Sequence, residues 1–155
     1  MIAQALVNDV MSTPVRSVGG DSPLQEAVQL MSDHHISGLP VLDGDGKLVG
    51  ELTEQQLMVR ESGLDTGPYV MLLDAVIYLR TPLNWDRQVH QVLGSRVADV
   101  MGHHPHTCAS GTPLPIAAKQ LHDKGTQRLF VLDDASQVVG VLTRGDVVRA
   151  LADQG

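Results

Sequence analysis

The chain repeats itself, and this constrains its fold more than any other feature. Val7-Asn8-Asp9-Val10-Met11 returns as Val97-Ala98-Asp99-Val100-Met101, and Ser22-Pro23-Leu24 as Thr112-Pro113-Leu114. Leu39-Pro40-Val41-Leu42-Asp43 returns as Leu129-Phe130-Val131-Leu132-Asp133, and Val49-Gly50-Glu51-Leu52-Thr53 as Val139-Gly140-Val141-Leu142-Thr143. Every pair is separated by the same ninety residues, so the copies align without a gap. A duplication at fixed period is the mark of one supersecondary unit that buries its apolar face against a second copy. A cleft between two such copies is a natural place for a ligand.

Composition narrows the class. A chain of 155 residues can bury one good core and reads as a single compact domain. A net charge of −7 argues against a general nucleic-acid or anionic-membrane surface, and 3% aromatic residues leave little for base stacking. The lone Cys108 excludes an internal disulfide and fits a reducing compartment. The start, Met1-Ile2-Ala3-Gln4-Ala5-Leu6, has neither the basic region nor the apolar stretch of a signal peptide. The most apolar stretch, Tyr69 to Leu79, is interrupted by Asp74 and is too short to span a bilayer. A cytoplasmic protein is the expectation.

Each copy has the same internal order. A short apolar lead (Val7 to Met11; Val97 to Met101) precedes a brief extended stretch, Val15 to Val18 in the first copy. Ser22 then predicts a helix N-cap, with Pro23 at the first helical position and Gln25 where a capping box places its acceptor. Leu24, Ala27, Val28 and Met31 recur on one helical face, as do Leu114, Ala117, Ala118 and Leu121 in the second copy. Two strands follow, Leu39–Leu42 and Leu48–Leu52, around the turn signal Asp43-Gly44-Asp45-Gly46; their counterparts are Leu129–Leu132 and Val138–Leu142. A second helix starts after Thr53 and after Thr143. The unit is strand, helix, strand, strand, helix, an α/β fold class. Residues 7–60 form the first motif, 61–96 a structured joint and 97–153 the second motif of one module spanning 1–155. In the joint, Leu72, Leu73, Val76 and Leu79 suit one face of a helix while Val70, Ile77 and Tyr78 also suit a strand. Trp85 to Leu93 reads as helical, closed by Gly94.

Several chemical signals fail on spacing. His103-His104-Pro105-His106 with Cys108 offers zinc-ligand types, but neighbouring His103 and His104 diverge and no closed set of four ligands is visible, so no metal site is assigned. His34, His35 and His122 read as surface residues at helix ends. Asp43-Gly44-Asp45-Gly46-Lys47 is not a calcium loop, because Lys47 takes a ligand position and Leu48 replaces the needed glycine. There is no phosphate-binding loop of the Gly-x-x-x-x-Gly-Lys type and no nucleophile elbow, and no residue orients Cys108 as a nucleophile. The sequence does not read as an enzyme.

The ordered set of repeated segments resembles the CBS-domain family. The resemblance covers both copies and rests on Asp-Val-Met at each start, on His35-Ile36-Ser37-Gly38-Leu39-Pro40-Val41-Leu42-Asp43, and on Val139-Gly140-Val141-Leu142-Thr143-Arg144-Gly145-Asp146. The joint is similar to that of small stand-alone bacterial CBS-pair proteins. The resemblance implies tandem CBS motifs in one pseudo-two-fold module, frequent pairing of modules into a homodimer, and binding of an adenosine ligand: AMP, ADP, ATP or S-adenosylmethionine as a regulatory ligand rather than a cofactor.

It also implies a site. The family places Thr or Ser, two residues, then Asp at the start of a motif's last helix, where the carboxylate accepts from both ribose hydroxyls; Thr143 and Asp146 match. The same residues equally read as a helix cap and a first-turn acid that need no ligand. Thr53 and Gln56 match in part, with an amide where the acid belongs. Arg128 stands where relatives meet phosphate, and otherwise reads as a solvated strand-edge residue paired with Asp146 or Asp123. Gly38 is its counterpart in the first copy. Ile36, Ser37 and Gly38 match the adenine-wall segment and Val141 an apolar wall opposite it; Ile36 and Val141 also suit ordinary core. One site is thereby furnished, by Ile36, Ser37, Gly38, Arg128, Val141, Thr143 and Asp146. Two functions remain: a regulatory module that passes ligand binding to a partner by conformational linkage, or an assembly module with a vestigial site.

Overall fold

The computed structural model of the chain describes residues 4–61 and 95–153. The helices and strands expected between 70 and 93 lie outside the described residues. The elements are α1 (Val7–Val10), β1 (Val18–Gly19), α2 (Leu24–His34), β2 (Gly38–Leu42), β3 (Leu48–Thr53) and α3 (Glu54–Glu61), then a single 3-10 turn (Val97–Asp99), β4 (Thr107–Ala109), α4 (Leu114–Asp123), β5 (Arg128–Leu132), β6 (Val138–Thr143) and α5 (Arg144–Ala152). The strand-helix-strand-strand-helix order is found in each copy. β1 runs parallel to β2 with β3 beside it; β4 runs parallel to β5, which pairs antiparallel with β6.

The expected helical faces are the buried ones. Leu24, Ala27, Val28 and Met31 of α2 pack with Leu39, Val41, Leu52, Leu57 and Val97. Leu114, Ala117 and Leu121 of α4 pack with Val7, Cys108, Leu129, Val131, Leu142 and Ala150. Ala118 is only half-buried, at the edge of its face.

These two clusters contain an exchange. The chain divides into one compact unit of Met1–Arg16, Gly46–Leu48 and Pro105–Gly155, and another of Ser17–Asp45 and Val49–His104. Each apolar lead therefore joins the sheet and helices of the other copy. Val7 fills the second motif's core, its amide donating to the Thr112 carbonyl (2.9 Å). Val97 fills the first motif's core, its amide donating to the Ser22 carbonyl (2.9 Å). The repeated Asp-Val-Met acquires a physical meaning here. Asp9 and Asp99 accept from the amides three residues earlier, Leu6 (3.1 Å) and Arg96 (3.0 Å), closing a single helical turn. Met11 and Met101 then lie across the other copy's sheet. A Cβ on Gly140 would collide with Met11 Sδ, and one on Gly50 would sit 2.7 Å from both Met101 Sδ and the Gly102 carbonyl oxygen.

The leads also explain why one expected cap is absent. Ser22 does not cap α2; its hydroxyl accepts from the Gly19 amide (3.2 Å), Pro23 holds the N-cap position, and Gln25 closes no capping box. The first free amide of α2, Leu24, instead donates to the Ser95 carbonyl (2.7 Å), and that of α4, Leu114, to the Ala5 carbonyl (2.9 Å). A backbone acceptor brought in by tertiary structure replaces the side-chain cap.

Both first helices end in the same way. Ile36 donates to Met31 and Thr126 to Leu121, each across a left-handed residue. In α4 that residue is Gly125 (φ +60); in α2 it is His35 (φ 53). The hairpin turns show the reverse pairing, Gly46 (φ +82) in the first copy and Ser136 (φ 62) in the second.

Two outcomes follow. His35→Gly should stabilise the fold by about 0.5–1 kcal/mol, since relief of a left-handed side chain, about 1–2 kcal/mol, exceeds glycine's entropy cost of roughly 0.4–1 kcal/mol; a denaturant midpoint measures it. Gly50→Ala should destabilise by about 1–3 kcal/mol through overpacking against backbone as well as Met101, seen as an earlier thermal transition.

Candidate functional site

The second motif supplies four of the expected site residues from adjoining elements. Arg128 opens β5 and pairs in register with Thr143, the last residue of β6; Val141 pairs with Phe130 two steps along. Thr143 then caps α5. Its hydroxyl accepts from the Asp146 amide (3.1 Å), and the Asp146 carboxylate accepts from the Thr143 amide (2.9 Å). The reciprocal capping box expected of Thr143 and Asp146 is thus present.

The carboxylate does more than cap. Asp146 is only 3% exposed, and its other oxygen accepts from the Ser12 hydroxyl (2.8 Å) and from the Arg149 guanidinium. Ser12 is held in place by backbone: its amide donates to the Val141 carbonyl (2.8 Å) and its carbonyl accepts from the Val141 amide (3.1 Å). The buried carboxylate thus sits at a helix N-terminus with three donors around it. A carboxylate offers about four lone-pair directions, and three donors engage this one. Arg149, with a side chain 69% exposed, is the donor that solvent reaches most easily.

Arg128 is 8% exposed, which corrects the reading of a solvated strand-edge residue. The two acids proposed as its partners have cations of their own: Asp146 takes Arg149, and Asp123 takes Lys119 at 2.5 Å, a hydrogen bond that lowers the Asp123 carboxyl below its ordinary range.

The first motif supplies the remaining three. Ile36 follows the left-handed cap of α2 and lies half-buried against the first core. Ser37 is exposed, and its carbonyl accepts from the Glu54 amide (3.0 Å), tying the segment to the start of α3. Gly38 begins β2. At the start of α3, Gln56 imitates Asp146: its side-chain oxygen accepts from the Thr53 amide (2.6 Å) and the Thr53 hydroxyl (2.5 Å). Ile36, Ser37 and Gly38 belong to one compact unit, and Arg128, Val141, Thr143 and Asp146 to the other.

Ser12 and Arg149 escaped sequence reasoning. Neither has a motif of its own. The one available signal was the repeat, which sets Ser12 opposite Gly102 and Arg149 opposite Val59.

His103 and His104 are exposed, and among the described residues no group of three or more His, Cys, Asp or Glu could hold a metal ion. Burial pushes the Cys108 thiol up to about 11, so near pH 7 it is protonated and unreactive. Among the described residues no helix is long and apolar enough to cross a membrane.

The family model for the CBS domain matches residues 7–62 and 97–153. An uncharacterised protein of Methanocaldococcus jannaschii is 29% identical over 153 residues, covering 94% of this chain and 90% of that one. A crystal structure of CBSX2 in complex with AMP superposes with a TM-score of 0.71 at 25% identity, over 96% of this chain and 97% of that one; CBSX2 is a protein of Arabidopsis thaliana. The CBS domain pair of protein MJ0100, in complex with 5-methylthioadenosine and S-adenosyl-L-methionine, shares the fold with a TM-score of 0.69 at 21% identity, over 97% of this chain and 98% of that one. With both copies matched along their length, the chain belongs to the CBS domain family.

Proposed function

We propose that the chain is a regulatory module that binds an adenosine ligand and carries out no catalysis of its own. The observation that carries this reading is the buried Asp146 carboxylate at the start of α5, framed by Thr143, which is itself in strand register with Arg128. In this reading the two ribose hydroxyls donate to Asp146, and exposed Arg149 is the donor they displace. Arg128 meets phosphate, which favours AMP, ADP or ATP over S-adenosylmethionine. Ile36, Ser37 and Gly38 supply backbone to the adenine edge, and Val141 an apolar wall. CBSX2, whose crystal structure in complex with AMP shares this fold, is the relative that supports the choice of ligand. The signal reaches a partner by linkage: a ligand that prefers one arrangement of the module shifts its population by no more than its differential affinity. The protein acts in the cytoplasm.

A second copy of the chain is the proposed partner in assembly. Ile116 on α4 and Val148 and Leu151 on α5 are 54%, 63% and 53% exposed, an apolar set on two neighbouring helices. Light scattering should give twice the chain mass at micromolar concentration; a monomer mass with and without nucleotide speaks for a solitary module. This apolar set also supports the alternative reading, an assembly module whose ligand site is vestigial.

Calorimetric titration with AMP decides between the two. The first reading expects about one AMP per chain, because Gln56 and Gly38 stand in the second copy's places for ribose and phosphate contacts. Asp146→Asn keeps the size and loses the charge, so AMP affinity should fall at least about tenfold, hydrogen bonds to charged groups being worth roughly 1.5–3 kcal/mol. Stability should fall by about 1–2 kcal/mol as well, since the capping box and the Ser12 bond are both weakened. Affinity is therefore measured well below the variant's melting temperature. Parent-like AMP binding by a folded Asp146→Asn would leave the carboxylate a purely structural cap.

A further inference from the structure

The two copies solve the same local problem with different pairs of side chains. In one, Ser12 on the lead faces Asp146, hydroxyl to carboxylate at 2.8 Å. In the other, the equivalent residues are Gly102 and Gln56. Gly102 stands on its lead as Ser12 does: its amide donates to the Glu51 carbonyl (2.8 Å) and its carbonyl accepts from the Glu51 amide (3.0 Å), as Ser12 does with Val141. The backbones are alike and the side chains differ in a compensating way. A Cβ on Gly102 would lie 2.8 Å from Gln56 Nε2, inside any permitted contact. The longer amide occupies the space that the serine side chain fills in the other copy. Gln56 cannot easily withdraw, because its oxygen is fixed by both the amide and the hydroxyl of Thr53.

We propose that residues 12 with 146, and 102 with 56, are two coupled pairs that determine which copy accepts a ribose diol. This rests on the reading of Asp146 as the ribose acceptor. Ser12 is a positioning residue: its donated hydrogen bond, anchored on the Val141 backbone, sets the orientation of the carboxylate. Gln56 spends its only acceptor on Thr53 and points an amide donor toward Gly102, so the first copy presents the diol with no free charged acceptor. A single substitution cannot interconvert the two. Serine at 102 meets the Gln56 amide, and by the symmetry of the repeat a glutamine at 146 needs the room that Ser12 fills.

Two reciprocal exchanges test this, S12G with D146Q and Q56D with G102S, each beside its single variants. Thermal unfolding is read first. Each double variant should melt about 3 °C or more above the sum of its single shifts, the size expected for about 1 kcal/mol of coupling in a chain of this length. Additive shifts in both sets would overturn the pairing. AMP titration is read second, at a temperature where every variant is folded. The S12G/D146Q protein should bind AMP at least about tenfold more weakly than the parent despite its recovered stability, and Ser12→Ala alone about three- to fivefold more weakly. Parent-like AMP affinity in folded S12G/D146Q would overturn the selective role. A parent that binds no AMP would count against the proposed function and remove the ligand half of this inference with it, while the unfolding data would still decide whether the pairs are coupled.

Discussion

The fold depends on the exchange of two short leads. Five residues before each sheet, Val-x-Asp-Val-Met, carry too little apolar surface to fold alone. Each becomes ordered by placing one valine in the other copy's core and one methionine on the face of its glycine-bearing strand, while the residue two before it, Ala5 or Ser95, accepts from the first amide of that copy's α-helix. Each contribution is modest: about 1.5–3 kcal/mol for a buried valine and about 1 kcal/mol for a satisfied helix end. Because neither copy contains all of its own parts, the duplication is a physical dependence of each motif on the other's lead.

The same exchange builds the candidate site. Asp146 belongs to the second motif and Ser12 to the first lead, 134 residues apart in sequence, yet they share a hydrogen bond. The carboxylate carries two duties. It caps α5, which any acid at that position could do, and it is held buried with a defined orientation, which a cap alone does not require. Gln56 shows the difference. It performs the capping duty with an amide oxygen and without a charge, so helix formation did not demand the acid.

Much of this was legible in the repeat. The α/β class, the buried faces of α2 and α4, the hairpins and the capping role of Thr143 with Asp146 follow from periodicity, turn residues and cap chemistry, which act within a few residues. The Ser22 cap failed for a tertiary reason, since Ser95 supplies the acceptor from a distant segment. The left-handed cap of α2 was also hidden, because histidine stands where its counterpart has Gly125.

The sequence by itself determined the local elements and the family, because those rest on spacing and side-chain chemistry along the chain. It marked Arg128, Thr143 and Asp146 through that resemblance. Only the tertiary structure decided that each lead serves the other copy, that Arg128 is buried, and that Ser12 and Arg149 meet on one carboxylate. The physical reason is that the meaning of a serine or an arginine lies in its partner. A partner brought in by long-range packing leaves no periodic trace in the sequence.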